Sequence, residues 1–170
     1  MTDNCVVDIK TQNRQERGYT LFLLLLVFIA SHVDRQIVAI LQEPIRIAFD
    51  LTDTQLGVLT GFAFALFYAT LGMPMAMWAD RRNRRNLIAF SISLWSAMTV
   101  ACAAAGQYWQ LLAARIGVAV GEAGSNPPSH SIIADLYQPA ERATAMAIFG
   151  LGVNFGIMFG SLIGGWVNDW

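Results

Sequence analysis

Two acids and two bases fall where a chain this apolar has least use for them. Asp34 and Arg35 lie inside the run that begins YTLFLLLLVFIA, and Arg115 and Glu122 lie inside a second, longer apolar stretch. At the centre of a membrane helix each such group costs about 2.5–3.5 kcal/mol, so four facing lipid would cost on the order of 10 kcal/mol. They must face protein or water. Two cations and two anions sum to zero, which makes a mutually paired cluster the cheapest arrangement. A carboxylate whose proton occupancy depends on how close its cationic partner stands is a means of coupling to protons. On this reading Asp34 is the leading proton site, with Arg115 or Arg35 as its modulator, and Glu122 is a second carboxylate or the partner of Arg35. The plainer reading is that the charges are static pairs fixing helix packing, or that Arg115 snorkels to the interface.

At 1.5 Å per residue, Asp34 lies roughly 22 Å from the cytoplasmic end of its helix and Arg115 roughly 10 Å from the outer end of its own. In a hydrocarbon core about 30 Å thick these depths are near one level. Arg115 and Glu122, seven residues apart, share a helix face. His32, Gln36, Asn126, Ser129 and His130 add polar groups to the same two helices and could line a water-filled substrate path, although each also suits a helix-to-helix hydrogen bond. Ser129 and His130 with an acid would suit a hydrolase, but nothing supplies an oxyanion site or a nucleophile turn. No catalytic residue, metal ligand or cofactor is assigned, and the chain is not read as an enzyme.

These residues need helices to hold them. Of 170 residues 55% are hydrophobic and only 14% charged, with a mean hydropathy of +0.47, which is a membrane composition. A net charge of −1 and two cysteines exclude a disordered tail, a nucleic-acid binder and a disulfide scaffold; Cys5 sits in a polar tail and Cys102 in an apolar run, so no bridge between them is expected. The fold class is all-α, a polytopic transmembrane bundle. Residues 1–18 form a polar cytoplasmic tail, and residues 19–170 a partial transporter-like bundle with five crossings, at about 19–40, 56–78, 87–105, 108–136 and 143–166. The first lacks a small-residue cleavage pattern and is read as retained. Thr52 and Gln55 form a Thr-x-x-Gln capping box ahead of the second. The fourth, with Pro127 and Pro128 inside it, is expected to kink at that pair.

Orientation follows from the eleven Lys and Arg. Lys10, Arg14, Arg17, Arg81, Arg82, Arg84, Arg85 and Arg142 fall on one side, Arg46 alone on the other, and Arg35 and Arg115 within crossings. The N-terminus is therefore expected in the cytoplasm. The membrane expected is the plasma (inner) membrane. Gly152, Gly156, Gly160 and Gly164 trace a small-residue ridge along crossing five, and Gly57, Gly61, Ala65 and Ala69 a similar one along crossing two. Such ridges let helix backbones approach closely. Asp80 opens the basic loop ADRRNRRN four residues before Arg84, where an ion pair or helix-end contact is expected.

The order and spacing of these features resemble the N-terminal half of the major facilitator superfamily, and within it the spinster-like branch, over about residues 19–170. The segment from Ala76 to Arg85, AMWADRRNRR, resembles the superfamily's loop motif Gly-x-x-x-Asp-Arg-x-Gly-Arg-Arg, with Ala76 and Asn83 in place of the glycines. The resemblance gives Asp80, Arg81, Arg84 and Arg85 a gating role on the cytoplasmic side. Arg115 to Ala123 is similar to the helix-four motif Arg-x-x-x-Gly-x-Gly-x-Ala, whose arginine is linked to proton transfer. The Gly-Glu-Ala-Gly form around Glu122, and the Asp34-Arg35 pair, point to the spinster-like branch. Helix five resembles the superfamily's antiporter motif but carries Ser161 where that motif has proline.

The resemblance implies a secondary active transporter, proton-coupled, working by alternating access on a small organic or amphiphilic, lysolipid-like solute. Its partners would be the lipid bilayer, that substrate, protons and a missing C-terminal half, since family members have twelve helices and this sequence supplies five. The chain is thus expected to be a fragment. The rival from another class is a non-transporting membrane scaffold or accessory subunit.

Overall fold

Apolar chain surrounded by lipid must satisfy its amides internally, and helices do so within one segment. The computed structural model describes residues 3–81 and 83–168, with side chains at 15–75, 77–78 and 83–168, and its regular structure is helical throughout. Helix α1 (Asp3–Ile40) starts inside the polar tail, well before the apolar run, and a short α2 (Gln42–Ala48) follows. The Thr52 hydroxyl then accepts from the Gln55 N–H at 3.3 Å while the Gln55 side chain accepts from the Thr52 N–H at 2.9 Å, so the expected capping box opens α3 (Asp53–Gly57).

The second crossing is one helical span, in which α3 passes through a π-helical turn (Val58–Phe62) into α4 (Ala63–Arg81). The expectation for the fourth needs correction. The fourth crossing breaks before its prolines, at Gly124 and Ser125, between α6 (Tyr108–Ala123) and α7 (Asn126–Leu136). Pro127 and Pro128 sit in the first turn of α7, where helical N–H groups have no partner to lose. The broken turn is satisfied locally: the Glu122 carbonyl accepts from both the Ser125 N–H at 3.1 Å and the Ser125 hydroxyl at 2.9 Å. Helix α5 (Arg84–Ala103) precedes this pair and α8 (Pro139–Asn168) follows it. Among the described residues four helical segments are long and apolar enough to cross a membrane: 15–40, 53–75, 84–103 and 139–168.

The main seams run α1 along α8, α5 along α6 and α4 along α6, which leaves α6 the most enclosed helix. In the first seam the Gly152, Gly156, Gly160 and Gly164 ridge receives Phe28, His32, Gln36 and Ile40 in turn; an added Cβ at Gly156 would stand 2.4 Å from the His32 Cβ and 2.9 Å from the Ile29 carbonyl oxygen. The second seam uses the same device, with a Cβ at Gly121 falling 2.8 Å from the Trp95 backbone nitrogen. The ridge on the second crossing does not behave this way. Nothing lies within 4 Å of a Cβ built at Gly57 or Gly61, and Ala65 and Ala69 are exposed. Its close approach to a neighbour is not realised among the described residues.

Two apolar clusters close the bundle at its ends. Leu21, Leu24, Ile88, Ile133, Ala145 and Phe149 form one. Leu51, Leu59 and Leu111 form the other. Along both α1 and α6–α7 the four charged residues fall between these clusters, away from either mouth.

Candidate functional site

Asp34 and Arg35 project from α1 toward α6, where Arg115 and Glu122 stand two turns apart on one face. The structure joins them crosswise. The Arg35 Nε–H donates to Glu122 Oε2 at 2.6 Å and Arg35 Nη2 lies 2.5 Å from the same oxygen. Arg115 Nη1 stands 3.6 Å from Asp34 Oδ2, an ion pair without a hydrogen bond. The Thr99 hydroxyl of α5 donates to the other Asp34 oxygen at 3.4 Å.

The two pairs differ in tightness and enclosure. Glu122 is 1% exposed and held at contact distance, whereas Asp34 is 18% exposed with its cation farther off. Burial penalises every unpaired charge in such a place, so each carboxylate depends on its arginine. Hydrogen-bonding capacity is left over even so: Glu122 Oε1 and Arg115 Nε have no hydrogen-bond partner among the described residues. Beside the pairs lies a cavity of about 170 Å³ lined by Arg35, Arg115, Gln42, Thr60 and Phe64 among others. Arg35 and Arg115 thus both line one open volume.

Aromatic rings complete the cluster. The Arg35 guanidinium carbon lies 4.7 Å from the Phe64 ring centroid and 4.6 Å from that of Tyr68, and Arg115 lies 5.3 Å from Phe64. Asn126 Nδ2–H donates to the Tyr68 hydroxyl at 2.6 Å, which ties the start of α7 to α4. Phe64, Tyr68, Thr99, Gln42 and Thr60 were not selected from the sequence. An i, i+4 aromatic pair one helix away from a buried arginine was the available signal for the first two.

The remaining candidates are dispersed. The stems of His32 and Gln36 pack on Gly156 and Gly160, and at about 100° per residue they stand on the opposite side of α1 from Asp34. The His32 ring bonds back to the Phe28 carbonyl at 2.9 Å. His130 meets the Met146 sulfur at 3.3 Å and the Phe149 ring, where α7 touches α8. In the basic loop, the side chains of Asp80 and Arg81 lie outside the described residues. Arg84 pairs with Asp135 at the end of α7, and Arg85 is exposed. The same end is tied further by the Tyr137 hydroxyl, which donates to the Arg17 carbonyl at 3.2 Å, and by Arg142 Nε–H, which donates to the Tyr137 carbonyl at 3.0 Å.

Charges paired across buried transmembrane helices, small-residue seams and a basic loop between the second and third crossings are the framework of one transporter class, and the profile of the Major Facilitator Superfamily matches residues 23–170. The chain belongs to the major facilitator superfamily. An MFS-type efflux pump of Mycolicibacterium smegmatis is 36% identical over 143 residues, covering 84% of this chain and 33% of that protein. Protein spinster homolog 1 of Xenopus laevis is 30% identical, covering 87% and 29%. A probable L-galactonate transporter of Escherichia coli is 27% identical, covering 88% and 33%. Among solved structures, a bacterial homolog of the human lysosomal transporter spinster, inward-facing and unoccupied, superposes with a TM-score of 0.84 at 46% identity, covering 88% of this chain and 31% of that one. This superfamily member therefore spans about a third of the length of the relatives it matches. Those relatives are membrane transporters, and the chain shares their all-helical, spinster-like fold.

Proposed function

We propose that this chain forms the first five crossings of a proton-coupled secondary transporter, completed by further helices like those that make up the other two thirds of its relatives. The observation that carries the reading is the crosswise pairing of Arg35 with Glu122 and Arg115 with Asp34 beside a cavity. A proton on Asp34 discharges it and frees Arg115, which is already at 3.6 Å rather than in a hydrogen bond. The freed cation then draws on the next acceptor it can reach, Glu122 or an anionic group in the cavity. Proton occupancy thereby changes which contacts hold α1 to α6, the kind of bias that an alternating-access bundle needs. On the positive-inside rule the N-terminus is cytoplasmic, and the membrane we assign is the plasma (inner) membrane. Asp80, Arg81, Arg84 and Arg85 serve as the cytoplasmic gate.

For the solute, kinship with spinster proteins supports an amphiphile of lysolipid type whose head reaches the arginines. A second reading, a small organic acid, is favoured by the cavity itself: about 170 Å³ lined by two arginines suits a carboxylate-bearing molecule. Among the relatives one is named for spinster and one as a probable transporter of L-galactonate, an organic acid anion.

The test uses this chain joined to the remaining helices of the bacterial spinster homologue and reconstituted in vesicles. Asp34→Asn is expected to abolish proton-driven flux while insertion and exchange of solute down its gradient persist. Proton-driven flux at the unsubstituted rate removes Asp34 from coupling. Loss of insertion without any transport phenotype in milder variants favours the scaffold role.

A further inference from the structure

We infer that Phe64 and Tyr68 are positioning residues that hold Arg35 on Glu122, aimed there by the π-helical turn and locked by Asn126. The reading starts from helical register. Leu59 is 1% exposed in the apolar cluster with Leu51 and Leu111, so the helix is anchored by that face. In an unbroken α-helix Phe64, five residues on, would point about 140° away from Leu59. The π turn adds one residue to the circuit, with the Ala63 N–H bonding to the Val58 carbonyl. Phe64 then stands over Leu59 as i+4 stands over i, about 40° round, and Tyr68 follows one α-turn later. Both rings come to face α1 and α6 because of that extra residue.

What they meet there is the guanidinium of Arg35, 4.7 and 4.6 Å from the two centroids, with the rings only 14° from parallel. The electron-rich faces of aromatic rings attract a cation and do so more strongly where water is scarce. They take no proton and make no directional bond with Arg35, so they fix its place without competing with Glu122 for its N–H groups. The Asn126 amide, donating to the Tyr68 hydroxyl at 2.6 Å, stops that ring from turning away. Phe64 also lies 5.3 Å from the Arg115 carbon, so one ring is shared by both cations of the cluster. The other charged groups around Arg35 are Glu122, Asp34 and Arg115. None of the three would hold its guanidinium over the α4 side of the cavity.

The consequence for transport rests on the proton-coupling reading above, but the positioning itself does not. The test is nitrogen NMR of arginine-labelled chain in detergent micelles, with the Arg35 Nε–H signal assigned by its loss in Arg35→Lys. In the unsubstituted chain that proton is expected to exchange slowly and to carry a ring-current shift. Tyr68→Phe, which keeps the ring but loses the hydrogen bond from Asn126, keeps the shift and exchanges at a rate between those of the unsubstituted chain and the leucine variants. Tyr68→Leu and Phe64→Leu each lose the shift and quicken exchange, while circular dichroism stays helical. An unchanged Arg35 signal in both leucine variants overturns the inference, as does equal loss in Tyr68→Phe. Failure of both leucine variants to fold assigns the rings to packing and overturns it as well. In the joined full-length transporter, Tyr68→Leu is expected to lower proton-driven flux about tenfold and Tyr68→Phe less than about twofold. A displaced Arg35 signal with undiminished flux leaves the positioning intact and sinks the coupling role of the Arg35–Glu122 pair instead.

Discussion

Helix α1 is gripped on two sides by opposite means. Toward α8 it lays His32, Gln36 and Ile40 into a file of glycines at backbone contact. Toward α6 it offers Asp34 and Arg35 to two countercharges, with a cavity beside them and hydrogen-bonding atoms left over. The first seam gains its attraction from many short dispersion contacts that tolerate no displacement. The second gains it from a few charges whose partners can be exchanged. One helix thus carries a fixed joint and an adjustable one about half a turn apart. The alternating access proposed above, in which a bundle moves while keeping its shape, would use that division.

The adjustable seam should be the costlier to damage on one side and the easier to repair. Glu122→Ala strands the Arg35 charge and is expected to destabilise the chain by about 3 kcal/mol, the low end for a buried pair because Arg35 is 30% exposed. Arg35→Leu added to Glu122→Leu should recover most of that, since an apolar pair of similar size pays no desolvation. Reversible unfolding in mixed micelles measures both, and a double variant no better than the single one would mean that packing, not charge, holds this seam. The glycine seam is expected to cost less and to resist repair. Gly156→Ala forces α1 outward, at about 1–3 kcal/mol. Truncating His32 to alanine does not relieve it, because the Ile29 carbonyl oxygen is still 2.9 Å from the new Cβ. Equal stability of Gly156→Ala and Gly150→Ala, where nothing lies within 4 Å, would dissolve the contrast.

How much of this could be read beforehand divides along physical lines. The helical class, the clustering of Asp34, Arg35, Arg115 and Glu122, and the Thr52–Gln55 cap were legible because each follows from local chemistry: charge has nowhere else to go in lipid, and a capping box spans four residues. Which carboxylate takes which arginine was not legible, because Asp34 and Arg35 are neighbours and either could reach either partner until the rotation of α1 is known. The π turn was invisible for a related reason. It is a register adjustment between two anchored faces, Leu59 on one side and Phe64 with Tyr68 on the other, and neither face names its partner in the sequence. The two small-residue ridges make the same point. Spacing of four marks where a backbone is permitted to come close, and only the bundle decides whether one does: Gly156 is met by α1, Gly57 by nothing within 4 Å.

That open ridge gives a smaller prediction of opposite sign. Gly57 has ordinary helical backbone angles, φ −62 and ψ −36, and room for a methyl group, so Gly57→Ala is expected to stabilise the chain by about 0.5–1 kcal/mol in thermal unfolding followed by circular dichroism. A loss comparable to that of Gly156→Ala would show that this ridge is packed after all, against a second copy of the chain in the micelle.

The smallest effect belongs to the ion pair that has no seam. Glu43 and Arg46 of α2 bond through two contacts, 2.9 and 2.6 Å, at the surface of the chain. The hydrogen bond from Arg46, more than its charge, holds the Glu43 carboxyl below its ordinary range. Because the folded form binds the proton less readily than the unfolded one, the pair contributes above the usual carboxylate range and is lost as pH falls through the lowered value. Water already screens both groups, so acidification or high salt is expected to raise amide exchange within α2 while the midpoint of global unfolding stays where it is. A shift of the global midpoint in Glu43→Gln would mean that the ion pair bears on the apolar cluster of Leu51, Leu59 and Leu111, against which Ile45 of α2 packs. That end of the bundle would then be electrostatically set, like the α1–α6 seam, rather than held by packing alone.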